Sequence, residues 1–298
     1  MGLNRRALLK GALVTGATAA VGSAGPLEAR QRREPETDAV GLLYDATKCI
    51  GCRACMVACR EANGLAPESS SGLWDDPVDL SANTKTVIKL AKLDDGRSSF
   101  FKAQCMHCVD PACVSVCMLG ALHKGPQGVV EYDVERCIGC RYCQVACAFG
   151  IPKFQWSEAA PKIVKCELCK ERRAEGKEPG CASACPTGAV IFGKRSELLA
   201  EAKRRLAEGR ERYVQKVYGE DDGGGTQVLY LSAVPFEELG LPKLTSESLP
   251  RLSEAVQHAI YQGFVAPVAL YGLLAGVLFR NRRKGDGAEA DEGKETNS

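Results

Sequence analysis

Strong charge of either sign is missing from this chain of 298 residues. Its 39 Lys and Arg stand against 37 Asp and Glu, a formal net charge of +2. The basic residues are spread among acids rather than gathered in one stripe. No nucleic-acid partner is expected. Histidine is scarce, with only His107, His123 and His258. They belong to no recognisable Ser/His/Asp constellation for nucleophilic catalysis. The turn Gly223-Gly224-Gly225-Thr226 departs from the G-x-G-x-x-G form, so it is given no nucleotide role. These residues single out no catalytic site.

An unassigned cysteine is also missing, and that absence organises everything else. The sixteen cysteines fall into four quartets with none left over. Cys137, Cys140, Cys143 and Cys147 follow C-x2-C-x2-C-x3-C, and Cys49, Cys52, Cys55 and Cys59 repeat the spacing. Cys105, Cys108, Cys113 and Cys117 follow C-x2-C-x4-C-x3-C, while Cys166, Cys169, Cys181 and Cys185 follow C-x2-C-x11-C-x3-C. The first of these is the run by which bacterial ferredoxins hold iron–sulfur clusters. Short turns let three thiolates wrap one cube, and the fourth points along the next helix toward a second cluster. Disulfide frameworks do not repeat this signature. Zinc explains the C-x2-C pairs but leaves the third and fourth cysteines of each run idle. Spacing shows that quartets cross-ligate, not which quartet crosses with which.

In chain order, Arg5-Arg6 stands ahead of a mildly apolar, Ala- and Gly-rich stretch, the form of a Tat export signal over residues 1–29. A charged linker follows over 30–39. The core over 40–195 repeats a unit of strand, cysteine loop and short helix. Strands are expected at Val40–Tyr44, Thr86–Leu90, Phe100–Ala103, Val129–Tyr132 and Ala189–Phe192. The stretches 63–92 and 170–180 read as insertions. An extension over 196–257 begins with an amphipathic helix from Ser196, a good N-cap, to Arg212. A flexible glycine turn and a strand over 227–234 come next. Ala259 to Phe279 carries no charge and reaches about 31 Å as a helix, enough to cross a bilayer core. Arg280, Arg282, Arg283 and Lys284 follow, so the positive-inside rule sets this end in the cytoplasm. A transmembrane anchor is thus expected over 258–280, with a disordered tail over 281–298. Both terminal signals put the cysteine domain on the periplasmic side of the inner membrane. Among the histidines, His107 is expected to hydrogen-bond or pack rather than ligate, and His123 to lie on a loop. His258 is expected at the membrane edge. Tyr142, Phe149 and Trp156 are expected to pack around the third quartet.

The chain resembles the iron–sulfur electron-transfer subunits of membrane-associated respiratory oxidoreductases. The match is carried by the stretches Cys105–Cys113, Cys137–Cys143 and Cys181–Val190. The segment Lys165–Cys169, the stretch from Gly223 to Leu244 and the single anchor liken it further to the ferredoxin-like subunits of hydrogenases of the hydrogenase-2 type. The resemblance implies an α+β fold of two ferredoxin-like lobes, a duplicated bacterial 2[4Fe–4S] ferredoxin, with insertions and one C-terminal transmembrane helix. It implies four [4Fe–4S] clusters: Cys49, Cys52, Cys55 and Cys185 on the first, and Cys166, Cys169, Cys181 and Cys59 on the second. Cys105, Cys108, Cys113 and Cys147 would hold the third, and Cys137, Cys140, Cys143 and Cys117 the fourth. Of the prolines that often follow the fourth cysteine, only Pro186 is present; Arg60, Met118 and Ala148 stand at the other places. The implied partners are hydrogenase small and large subunits and an integral membrane, quinone-interacting subunit. A formate dehydrogenase or another molybdoenzyme is the rival within the class. A zinc-binding assembly scaffold is the rival outside it.

Overall fold

A computed structural model describes residues 33–66, 79–159, 161–251, 254, 267–268 and 270–280. The expected export signal, His258, the first part of the expected anchor and the tail lie outside the described residues. The chain divides into two compact units, residues 31–251 and a second unit that includes residues 252–298. Each is described by itself.

The larger unit is built on strand β1, Val40–Asp45, whose six residues are all buried. Successive side chains of a strand point to opposite faces, so a fully buried strand needs cover on both. Val40, Leu42 and Tyr44 enter the main core. Leu43 enters a second core with Leu198, Ala202, Leu229 and Leu231. Strand β8, Val190–Lys194, pairs antiparallel to one edge of β1, and β9, Val228–Leu231, pairs parallel to the other. Gly41 permits that last pairing: a Cβ there would sit 1.8 Å from the Gln227 carbonyl oxygen. The extension is thus part of the central sheet.

Among the described residues three two-stranded ribbons complete the sheets: β2 (Val87–Lys92) with β3 (Ser98–Ala103), β4 (Leu122–Lys124) with β5 (Val130–Tyr132), and β6 (Lys153–Phe154) with β7 (Ile163–Val164). Short helices follow the cysteine loops. Helix α1, Ala54–Ala62, packs on α5, Gly180–Ser183, and α2, Ala112–Ser115, packs on α3, Tyr142–Ala146. The first contact is close, since a Cβ on Gly180 would lie 2.7 Å from the Ala58 carbonyl oxygen. First and fourth quartets are therefore neighbours, as are second and third. A further short helix, α4 (Lys170–Ala174), lies inside the fourth quartet, and α6 (Arg195–Glu208) covers the back of the sheet.

Three expectations are corrected. Ser196 is not the N-cap of α6, which starts one residue earlier with Lys194 in the cap position and no side-chain cap bond. Arg195 fixes that start: its N–H donates to the Ala39 carbonyl, and its guanidinium donates to the carbonyls of Thr226, Gly219 and Glu220. The glycine turn is not a loose connection, because Gly223, Gly224 and Gly225 are buried at φ 63, 86 and 94. A Cβ on Gly223 would press on Leu249 at 2.9 Å, so packing holds the turn in one shape. His123 sits on β4 opposite Glu131 and not on a loop.

In the second unit, residues 270–280 are helical. Among the described residues no helix is long and apolar enough to cross a membrane.

Candidate metal centres

Each quartet is entered by a strand and carries its third cysteine on a short helix. Strands β1, β3, β5 and β7 lead into Cys49, Cys105, Cys137 and Cys166. Two residues beyond each of those cysteines the backbone turns left-handed: Gly51 at φ 70, His107 at 47, Gly139 at 69 and Leu168 at 51. Glycine takes that conformation freely, whereas a side chain costs about 1–2 kcal/mol. Arg53 and Arg141 kink again at φ 62 and 64, directly after the second cysteine. These repeated kinks wrap three cysteines of a run around one volume. The internal repeat extends to tyrosine: Tyr44 and Tyr132 each stand five residues before a first cysteine, and their hydroxyls hydrogen-bond the Cys49 and Cys137 thiols.

All sixteen cysteines are free of disulfides. Their thiols act on one another in groups. Cys49 is raised by Cys185 and Cys52, and Cys55 by Cys49 and Cys185, after burial has raised both. Cys59 feels Cys166, Cys181 and Cys169; Cys108 feels Cys147, Cys113 and Cys105; Cys143 feels Cys117, Cys140 and Cys137. Burial pushes Cys55 and Cys143 up to about 12, and Cys105 and Cys181 to about 11. Further contacts join the groups in line: Cys55 with Cys181, Cys105 with Cys166, and Cys113 with Cys143. Only Cys52 and Cys140, one in each outermost group, are exposed.

The donors fit iron–sulfur cubes. Among the described residues no three His, Cys, Asp or Glu side chains close around one ion-sized point. Zinc thiolates lie about 2.3 Å from one metal and hence within about 4 Å of each other. A four-iron cube instead holds its thiolates apart at its corners. Donors are also turned toward sulfur. The N–H of Leu122 lies 3.4 Å from Cys117 Sγ, that of Leu168 3.4 Å from Cys166 Sγ, and Asn63 Nδ2 3.7 Å from Cys59 Sγ.

Two buried lysines escaped the sequence reading. Lys102 is buried on β3, and its ammonium donates to Gln104 Oε1. Lys165 is buried too, and donates to the carbonyls of Val130 at 2.6 Å and Cys166 at 3.1 Å. Neither has a carboxylate partner among the described residues, yet both draw neighbouring cysteine thiols downward. The available signal was a lysine inside an apolar strand leading to a cysteine: Phe100-Phe101-Lys102 and Ile163-Val164-Lys165. His107 does hydrogen-bond, its Nδ1 accepting the Val130 N–H at 3.1 Å. That fixes the ring proton on Nε2, which has no partner among the described residues. Burial, then the charges of Lys165 and Lys124, hold its pKa well below the ordinary range, so the ring is neutral. Phe149 packs on the main core, but Tyr142 and Trp156 stay 50% and 60% exposed; Arg141 stacks over the Trp156 ring at 4.3 Å.

Residues 97–195 match the family described as a 4Fe-4S dicluster domain. The "Hydrogenase-2 operon protein HybA" of Escherichia coli O157:H7 is 41% identical, over 95% of this chain and 97% of that protein. The chain belongs to the HybA family. The nitrate-inducible formate dehydrogenase iron-sulfur subunit of Escherichia coli K12 is 36% identical, over 86% of this chain and 89% of its own length. A protein of Nitratidesulfovibrio vulgaris Hildenborough is 41% identical over 87% of this chain and 72% of its own length. Membership of the HybA family makes the chain an iron–sulfur electron-transfer subunit of the respiratory oxidoreductase type, with a ferredoxin-like 4Fe–4S domain.

Proposed function

We propose that this chain is a periplasmic, membrane-anchored electron carrier between a [NiFe] hydrogenase of the hydrogenase-2 type and a quinone-reactive integral membrane partner. Four [4Fe–4S] cubes would be held by the cysteine sets that the family resemblance implies. A cube, when bound, takes up and passes on a single electron. The protein's part is placement and electrostatics. Strands and left-handed kinks fix the thiolates, apolar packing keeps water from the middle sets, and buried lysines offset their charge.

The observation that carries this reading is the linear order of the four thiol groups, with exposed cysteines only in the end groups. A relay must meet its partners at its ends and stay insulated between them. The hydrogenase assignment follows from the likeness to HybA. The anchor is supported by a helix at 270–280 whose Tyr271, Leu273, Leu278 and Phe279 are each at least 65% exposed. A helix apolar on all sides belongs against other apolar matter, and lipid supplies it. The formate dehydrogenase likeness keeps a molybdoenzyme as the rival, and the catalytic subunit that co-purifies decides between them.

The test is anaerobic purification of the intact membrane complex with metal analysis and EPR of the reduced sample. The expected result is about sixteen irons for this chain and signals of reduced four-iron cubes. Zinc in place of iron overturns the proposal.

A further inference from the structure

Gln104 is 2% exposed and lines the cavity bounded by Cys59, Cys166, Cys169 and Cys181. Its amide has one committed end, because Oε1 accepts from the Lys102 ammonium. An ammonium has no lone pair to offer, so the Lys102 contact dictates which way the amide faces. Nε2 is therefore the other end, and it is buried without a partner among the described residues. A buried N–H without an acceptor costs about 1–3 kcal/mol. Such a donor at the wall of a thiol-lined cavity calls for an acceptor within it.

The same device is complete on the other side of that cavity. Lys85 Nζ donates to Asn63 Oδ1 at 2.9 Å, and Asn63 Nδ2 donates to the Cys59 carbonyl at 2.7 Å and lies 3.7 Å from Cys59 Sγ. Lysine to amide oxygen, amide N–H toward sulfur: the Lys102–Gln104 pair repeats this arrangement with its acceptor still to come. Lys102 is fully buried, and a buried ammonium needs opposite charge. The cysteines it acts on are Cys181, Cys55, Cys166 and Cys59; Cys181, Cys166 and Cys59 belong to this group and Cys55 to the neighbouring one.

We propose that Lys102 and Gln104 are tuning residues that raise the reduction potential of the cube held by Cys59, Cys166, Cys169 and Cys181. Gln104 Nε2 donates to a sulfur of that cube, and Lys102 both locks the amide and offsets the negative charge. The inference rests on the four-cube reading above. One electron enters, no bond breaks, and both side chains keep their protons. Hydrogen bonds to sulfur and nearby positive charge each favour the more negative, reduced state.

The experiment is a stepwise redox titration of the intact complex followed by low-temperature EPR, with iron counted in the same samples. Gln104→Leu is expected to lower one midpoint while the iron count stays at the wild-type value. Lys102→Met should lower that midpoint further, by a tenfold or greater change in the reduction equilibrium, which is 59 mV or more for a one-electron couple. Lys102→Arg should restore most of the shift. Full iron with every midpoint unmoved overturns the proposal. So does the loss of iron from both variants, which would make the pair a requirement for assembly alone. Wild-type chain lacking iron would instead bring down the four-cube reading itself.

Discussion

Leu168 pits two effects of known size against each other. Its backbone stands at φ 51, where a leucine carries about 1–2 kcal/mol of strain that glycine avoids. Its side chain is fully buried in the main core, and removing a buried leucine costs about 3–5 kcal/mol. Burial outweighs strain. Leu168→Gly is thus expected to destabilise the purified chain by about 1–4 kcal/mol, read as a lower thermal midpoint at equal iron content. An unchanged or raised midpoint would mean that the strained turn, not the packed side chain, governs this loop. The equivalent positions Gly51 and Gly139 avoid the conflict by being glycine, while His107 accepts it and satisfies the buried Val130 N–H.

Helix α6 is held to the sheet by more than its apolar stripe. Asp45, at the end of β1 and fully buried, accepts from Arg205 Nη1 at 3.0 Å and from the Tyr213 hydroxyl at 2.9 Å. Its other oxygen takes the N–H and hydroxyl of Thr47, two residues before Cys49. Replacing Arg205 by Met keeps the stem's packing but strips a buried carboxylate of its cation, a loss of about 3–5 kcal/mol where burial is complete. The expected outcome is a lowered thermal midpoint and earlier release of iron on heating, whereas breaking the exposed pair of Arg204 with Glu208 should leave the midpoint unchanged. Differential scanning calorimetry of the two variants decides this. Most of these elements could be read from residues. The continuous apolar runs marked β1, β3, β5 and β8, and the apolar spacing of Leu198, Ala202 and Leu206 marked α6. What could not be read was tertiary. The parallel pairing of β9 with β1 depends on Gly41 meeting a carbonyl from nearly the other end of the fold. The start of α6 depends on Arg195 reaching three carbonyls outside the helix. Likewise the cysteine spacing declared a cluster site, while Lys102, Gln104 and Lys165 became visible only where strands brought them to the thiols.

At the scale of the whole molecule, the proposed relay needs its domain on one side of a bilayer and its tether within it. The two requirements can be tested separately. A chain ending at Gln257, produced without its membrane partner so that docking cannot retain it, is expected to leave the membrane fraction and remain loaded with iron. The full chain under the same conditions should resist alkaline carbonate, because burying the proposed anchor of about 20 apolar residues in lipid is not undone by charge or pH. Retention of the shortened chain in washed membranes would remove the anchor from the proposal. Changing Arg5 and Arg6 to Lys should leave folded, iron-loaded chain in the cytoplasm, since the proposed twin-arginine signal would be read as an address that charge alone does not replace. Export of that double variant at the normal level would mean a different route. The cluster domain would then have to acquire its iron after crossing, which a line of largely buried thiols makes difficult: burial keeps them protonated, and cluster binding must expel those protons before the core can close around it.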